Sequence, residues 1–465
     1  MADGRLKAVA KRGAALPATA LGTNLGLIVL GCLLLGLSRH LAGQMDHILF
    51  DYSETSLAAL VTFLGAALLV TRQPVDRATL PIILVFAALC RLVFLMPRPH
   101  LSSDIYRYVW DGMMQHHGIN PYRYFPADPH IAAFRDNAIY PHINRKEYAV
   151  TIYPPVAQMF YFVATTFAAS LTAMKLTLYA AEAVTVFTLI RMLVLLGLRR
   201  EQVLLYAWSP LLIWEVGSSG HLDGFLTALL ALALLFRMRN QPVLTGLALG
   251  AAVMTKFYPL LLLPALWRRR DWRMPLTVLG VIVASYLPYL SVGKRVFGFA
   301  GGYVQEEGIS TGSRYFLLEL AHHIPGLENL PAAAYYAFCV LCFVPLLWWC
   351  WHLSASADLA AFLRPAAALA FALMILFSPH YPWYVLWLVP FVVLRPSFTM
   401  GVYLCVIFYG FTTMWAEPGA KMYFLSKWMY GAVAIAAILQ GIYEGWLHRV
   451  LPLARLWPVT EEGKA

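Results

Sequence analysis

Between residues 98 and 150 the chain concentrates side chains able to move protons and hold anions. The run LSSDIYRYVWDGMMQHHGINPYRYFPADP places Asp104, Arg107, Tyr108 and Asp111 at i, i+3, i+4 and i+7, so on a helix they share one face. Two carboxylates beside a guanidinium suit proton abstraction next to a bound anion. Ser102 or Ser103 fits the N-cap of such a helix, Gly112 or Gly118 its stop, and residues 118–122 a turn. Elsewhere Glu215, His221 and Asp223 flank the turn GSSG, Lys256 ends GLALGAAVMTK, and His380 and Tyr381 lie in SPHYPWYVLW. Ionisable groups bordering apolar runs are costly and therefore point to function. His116, His117, His130 and His142 match no metal-ligand spacing, and no metal site is assigned. GLALGAAVMTK lacks the G-K-[ST] order of a phosphate loop; its Gly246 and Gly250 fit a small-residue packing face.

The elements that carry these residues are apolar. Of 465 residues, 60% are hydrophobic and 13% charged, and the mean hydropathy is +0.65, far from the balance of a cytosolic enzyme. The net charge of +11 sits in short clusters between apolar runs. That distribution records membrane orientation rather than nucleic-acid binding. All six cysteines, including the Cys339–Cys342 pair, fall inside apolar stretches, which argues against disulfides and a zinc site. The expected fold is an all-α polytopic integral membrane protein, a single domain over residues 1–465.

Apolar runs predict spans near 21–40, 56–71, 78–97, 175–197, 201–217, 221–237, 242–254, 257–267, 274–292, 331–352, 359–378, 382–394, 397–416 and 424–446, a bundle of about 12–14 helices. The first is read as retained rather than cleaved. Arg5, Lys7, Lys11 and Arg12 place the N-terminus inside, as do Arg72 and Arg77 after two crossings, so residues 98–150 emerge outside. Segment 152–174 is long enough to cross. Were it to do so, Arg199/Arg200, Arg237/Arg239, Arg268–Arg270 with Arg273, and Arg395 would all face outward. Those clusters return inside if 152–174 lies along the outer leaflet as a juxtamembrane helix after Pro154–Pro155. The same parity makes 242–267 a hairpin with Lys256 at its outer apex. The outer loops are then 98–174 and 293–330, the latter carrying GGYVQEEGISTGSRY.

DIYRYVWDG with GINPY, YPP, LRREQVLLYAWSPLLIWEVGSSGHLDGF, TKFYPLLLLPAL and SPHYPWYVLWLVP, in that order over about residues 98–394, resemble the GT-C superfamily of polyprenyl-phosphate-sugar-dependent membrane glycosyltransferases. Bacterial mannosyltransferase-like members resemble it most, and the likeness extends to the catalytic subunit of GPI mannosyltransferase. The resemblance implies a GT-C-like bundle with juxtamembrane helices in the first large outer loop. It also implies a lipid-linked sugar donor, a glycan or glycolipid acceptor, and an active site on the periplasmic or extracellular side of the inner (plasma) membrane.

In that family an outer-loop aspartate is the general base, and Asp104 is the matching position. The GPI enzymes carry DxD there; here Ile105–Tyr106 follow Asp104, and Asp111 becomes its partner carboxylate. Arg107, Lys256 and His380 are the expected phosphate-binding groups, with Tyr108, Glu215, His221, Asp223 and Tyr381 completing the substrate site. Inversion of a β-linked mannosyl phosphate would give an α-mannoside. A pentose or aminopentose transferase of the lipid A-modifying kind is the alternative within this class. A transporter or lipid flippase would require inverted repeats and ionisable residues near the bilayer midplane, and neither is visible; a non-catalytic assembly protein would leave the Asp104–Asp111 face unexplained.

Overall fold

The computed structural model describes residues 19–43, 48–356, 358, 360–410 and 420–447. The basic cluster Arg5–Arg12 lies outside the described residues. The described chain is helical, without strands. Its longer helices are α1 (Ala20–Gly43), α2 (Ile48–Arg72), α3 (Thr79–Leu92), α4 (Asp104–His116), α5 (Pro155–Ala164), α6 (Leu171–Leu195), α7 (Asp223–Met238), α8 (Pro242–Val253), α9 (Arg273–Tyr286), α10 (Ala332–Leu353), α11 (Leu363–Phe377), α12 (Phe398–Val406) and α13 (Ala420–Ile442). Five stretches among the described residues are long and apolar enough to cross a membrane: 20–43, 52–72, 171–195, 273–306 and 332–353. Their outward faces are bare hydrocarbon, with Val29, Val61 and Leu341 well exposed, which is stable only against lipid. The protein is an all-α polytopic membrane protein.

The remaining expected spans are shorter or broken, and the break points have a backbone cause. Segment 204–218 passes from a helical turn through Ser209–Pro210 into a π-helical turn at Ile213–Ser218. Prolines 259 and 264 divide 258–266, and Pro382 and Pro390 divide 382–394. Such backbone survives at membrane depth only where protein satisfies it. Here it does so: Trp208, Leu212, Trp214, Val385 and Leu388 are fully buried. Arg91 Nη1 donates to the Ala207 carbonyl at 2.7 Å, and Tyr179 Oη donates to that of Gly217 at 2.8 Å. Arg91 is itself held by Glu182 through bonds of 2.8 and 2.9 Å. Hydropathy counts apolar side chains and is blind to these interruptions.

Side-chain ties show which helix ends lie together. Asn24, near the start of α1, bonds Asp76 between α2 and α3 and Thr79 at the start of α3. Lys175, at the start of α6, donates to the carbonyls of Phe94 (2.7 Å) and Pro97 (2.8 Å) beyond α3. Arg199, beyond the end of α6, reaches Val70 and Gln73 at the end of α2. The chain therefore leaves α3 and enters α6 at one end of the bundle. Helix α5, about 15 Å long at 1.5 Å per residue, is too short to cross the roughly 30 Å hydrocarbon core. Arg237 Nε bonds the Leu266 carbonyl at 2.6 Å and Arg268 bonds Asn240 at 2.5 Å, while Lys256 meets Asp223 at the opposite end of α7. This is the hairpin that the charge parity required. All six cysteines are free.

Helix α4 lies directly against α5. A Cβ at Gly112 would sit 2.5 Å from the Tyr161 carbonyl oxygen and collide with Thr165 Oγ1. Gly112→Ala should therefore destabilise the protein by about 1–3 kcal/mol through overpacking, read as a lowered melting temperature in detergent; an unchanged melt would show that the two helices separate freely.

Candidate active site

Asp104 is the first residue of α4, and its backbone N–H is taken by Ser102 Oγ at 3.3 Å. The helix ends at His116, and the chain turns at Gly118 with φ +72°. Asp104 Oδ1 accepts a hydrogen bond from Asn144 Nδ2 at 2.8 Å, and Tyr153 Oη lies 3.4 Å from Oδ2. Burial pushes the Asp104 carboxyl above the usual carboxylate range, against the opposing pull of Asn144, Lys256, Arg145 and Tyr153. A carboxylate raised in this way is a stronger proton acceptor than an exposed one.

The i, i+3, i+4, i+7 face does converge, and its members divide the work. Arg107 Nε donates to Asp111 Oδ1 at 2.7 Å and its Nη1 to the Ala149 carbonyl at 3.0 Å. Asp111 is buried behind Arg107, with its second oxygen held by Gln158 Nε2 at 3.0 Å. Tyr108 stacks on Tyr161 with ring centroids 4.7 Å apart, its hydroxyl 3.3 Å from that of Tyr153.

The facing elements bring in the rest. Lys256, just past α8, donates to both oxygens of Asp223 at 2.9 and 2.7 Å, and Tyr258 Oη adds a third bond at 3.1 Å. Glu215 Oε2 and His221 Nδ1 lie 2.9 Å apart, both fully buried. The His221 ring stacks on Trp383 at 3.9 Å, and Trp383 on Tyr381 at 4.6 Å. His380 sits 3.2 Å from the Arg314 carbonyl. Burial and the Arg314 cation push its imidazole down to about 4, so at neutral pH it is an uncharged group.

These residues surround a cavity of about 460 Å³. Of the residues singled out in the sequence, Asp104, Arg107, Lys256 and Tyr381 line it. Asp111 and Asp223 stand behind them as counter-charges, and Glu215 and His221 support Trp383 from the rear. Further wall residues are Asn144, Arg145, Tyr153, Tyr303, Glu307 and Tyr384. Glu307 accepts from Arg314 Nη1 at 2.6 Å and Tyr381 Oη at 3.3 Å, and the hydroxyls of Tyr303 and Tyr384 are hydrogen-bonded. The one available signal for this wall was the adjacent pair Glu306–Glu307 within the outer-loop run GGYVQEEGISTGSRY. Among the described residues no group of three or more His, Cys, Asp or Glu is placed to hold a metal ion. The four loop histidines disperse, His116 against Phe162, His117 against Phe134, His130 beside Asp128 and His142 against Tyr106.

A helical membrane bundle that shelters two carboxylates, three cations and a ring of tyrosines in one cavity has the makings of a membrane-embedded group-transfer enzyme. The chain belongs to the alpha-(1->6)-mannopyranosyltransferase family, whose N-terminal-domain model matches residues 23–268, just over half of it. It is accordingly a mannosyl-type glycosyltransferase. No curated protein matches it.

Replacing Asp111 with Ala would strand the buried Arg107 without a counter-charge. The expected cost is about 3–5 kcal/mol of stability, and Arg107→Met/Asp111→Leu should recover most of it. Thermal unfolding of the purified variants checks this; a double variant as unstable as Asp111→Ala would refute the pairing.

Proposed function

We propose that the protein transfers a mannosyl group from a polyprenyl-phosphate donor to a hydroxyl of a lipid-linked or envelope glycan at the outer face of the cell membrane, the whole chain acting as one domain. The acceptor oxygen attacks the anomeric carbon, its proton passes to Asp104, and the C1–O bond to phosphate breaks with its electron pair leaving on the phosphate. In-line displacement inverts the centre, so a β-linked donor yields the α-mannoside. The family's description as an alpha-(1->6)-mannopyranosyltransferase supports the acceptor's 6-hydroxyl as the attacking group. Arg107, Arg145 and Lys256 offset the charge that develops on the phosphate, while Tyr381, Trp383 and Tyr384 provide flat walls for pyranose rings.

The observation that carries this reading is the placement of Asp104: a half-buried carboxylate with a raised pKa, open to a cavity whose other lining charges are mainly cationic. Orientation is supported by α7, which has Asp223 at one end and Arg237 in its last turn. The site and the basic end of the bundle are thus about 20 Å apart along one helix, and basic ends face the cytoplasm.

Asp104→Asn should lower turnover by about 10²–10⁴-fold, the usual contribution of a general base, while donor binding and the melting temperature stay near wild type. In the wild type the rate should fall as the pH drops through the raised Asp104 pKa, because only the ionised carboxylate accepts the proton, and that limb should vanish in the variant. Transfer assays with polyprenyl-phosphate mannose measure both, and retained turnover would remove Asp104 from the role of base.

In a background without the native cysteines, Cys at position 199 or 268 should resist a membrane-impermeant thiol reagent in intact cells, and Cys at the exposed His130 should react. The opposite pattern would invert the topology.

A further inference from the structure

We infer that Arg145 is the group that grips the donor phosphate, and that the phosphate takes it by exchange with Glu306. This rests on the polyprenyl-phosphate reading above. It assigns the direct contact to a residue that the sequence pattern did not single out.

Three cations line the cavity, and their partners separate them. Arg107 is pinned by Asp111 and the Ala149 carbonyl, and the Asp111 side chain is 2% exposed. Lys256 is held by both oxygens of Asp223, which is 1% exposed. Drawing either cation onto a ligand would leave a carboxylate buried without its counter-charge. Arg145 is different: its Nε lies 2.6 Å from Glu306 Oε2, and the two side chains are 28% and 31% exposed. Ion pairs of that exposure hold weakly, and water can take up the released carboxylate. Glu306 also keeps the Tyr148 hydroxyl at 2.9 Å. Glu307, 3.8 Å from Arg145 Nη2, keeps Arg314 at 2.6 Å. Arg145 alone among the three can change partners without stranding a buried charge.

Its backbone supports the assignment. Arg145 has φ +54°, a left-handed conformation that costs free energy for a side-chain-bearing residue. The effect is to send consecutive side chains to different walls. Asn144 turns to Asp104, and Arg145 turns to the Glu306–Glu307 wall. A phosphate on Arg145 would then be held away from the base by a neighbour of the residue that orients the base, as displacement from opposite sides of one carbon requires. The planar guanidinium can meet two phosphate oxygens at once. Because Glu306 ends the short helix Ala300–Glu306 on the cavity wall, exchange removes one of the two side-chain ties between Glu306 and the 140–150 segment and leaves the Tyr148 bond. A phosphate on Arg145 and the Arg145–Glu306 pair are therefore mutually exclusive.

The test is binding of a polyprenyl phosphate to the full chain in nanodiscs, for wild type, Glu306→Gln, Arg145→Ala, Arg145→Lys and the double variant Arg145→Ala/Glu306→Gln. Removing the competitor should tighten binding several-fold in Glu306→Gln, a gain that misfolding cannot produce. Arg145→Ala should weaken it by about tenfold or more, the loss of charge-assisted hydrogen bonds, with Arg145→Lys between. The double variant should bind like Arg145→Ala, since Glu306 acts only through Arg145. A wild type that binds while Arg145→Ala binds equally well, or while Glu306→Gln gains nothing, overturns the exchange alone. A wild type that binds no polyprenyl phosphate overturns the donor reading and the exchange with it.

Discussion

An ionised side chain inside a low-dielectric bundle must bring its counter-charge with it, and that requirement organises this molecule. Arg91 with Glu182 and Lys256 with Asp223 join elements that hydrophobic packing alone would leave free to slide, while Arg107 with Asp111 and Arg314 with Glu307 neutralise charge locally beside the cavity. Lipid is as apolar as leucine and gives helices little reason to choose one partner over another. A buried pair supplies that reason, because every alternative arrangement strands a charge. Three of the four pairs gather around one cavity, so the features that fix the fold there also fix the electrostatic field in which a substrate would sit.

Much of this was legible in the sequence. The spacing of Asp104, Arg107, Tyr108 and Asp111 gave a helix with one polar face, and the helix is there, turned inward. Charge parity required residues 152–174 to stay on one side and 242–267 to double back, and the ties of Lys175, Arg199, Arg237 and Arg268 place those helix ends together. The Arg107–Asp111 pair could be read from its i, i+4 separation. Lys256 and Asp223 were both singled out, yet their union across 33 residues depends on how two helices turn back on each other, which local periodicity does not encode.

What escaped sequence reading escaped for physical reasons. The wall formed by Tyr303, Glu307 and Tyr384 comes from segments far from Asp104 along the chain, and beyond the Glu306–Glu307 pair nothing in their local pattern points to it. Broken helices such as 204–218 are invisible to hydropathy because their defect lies in backbone hydrogen bonds. The remedy, an arginine from α3 and a tyrosine from α6, comes from elsewhere in the bundle. Roles were also harder to read than places: a carboxylate beside the cavity can serve as reagent or as ballast for a cation, and only burial and partner geometry tell Asp104 from Asp111 and Asp223.

The cavity is assembled from two portions of the chain. The side formed by Asp104, Arg107, Arg145 and Lys256 lies within residues 23–268, the part that the family model matches, whereas Tyr303, Glu307, Tyr381, Trp383 and Tyr384 come from beyond it. A change among the aromatic positions of the second portion would therefore reshape one wall of the cavity while leaving Asp104, Arg107, Arg145 and Lys256 in place on the other.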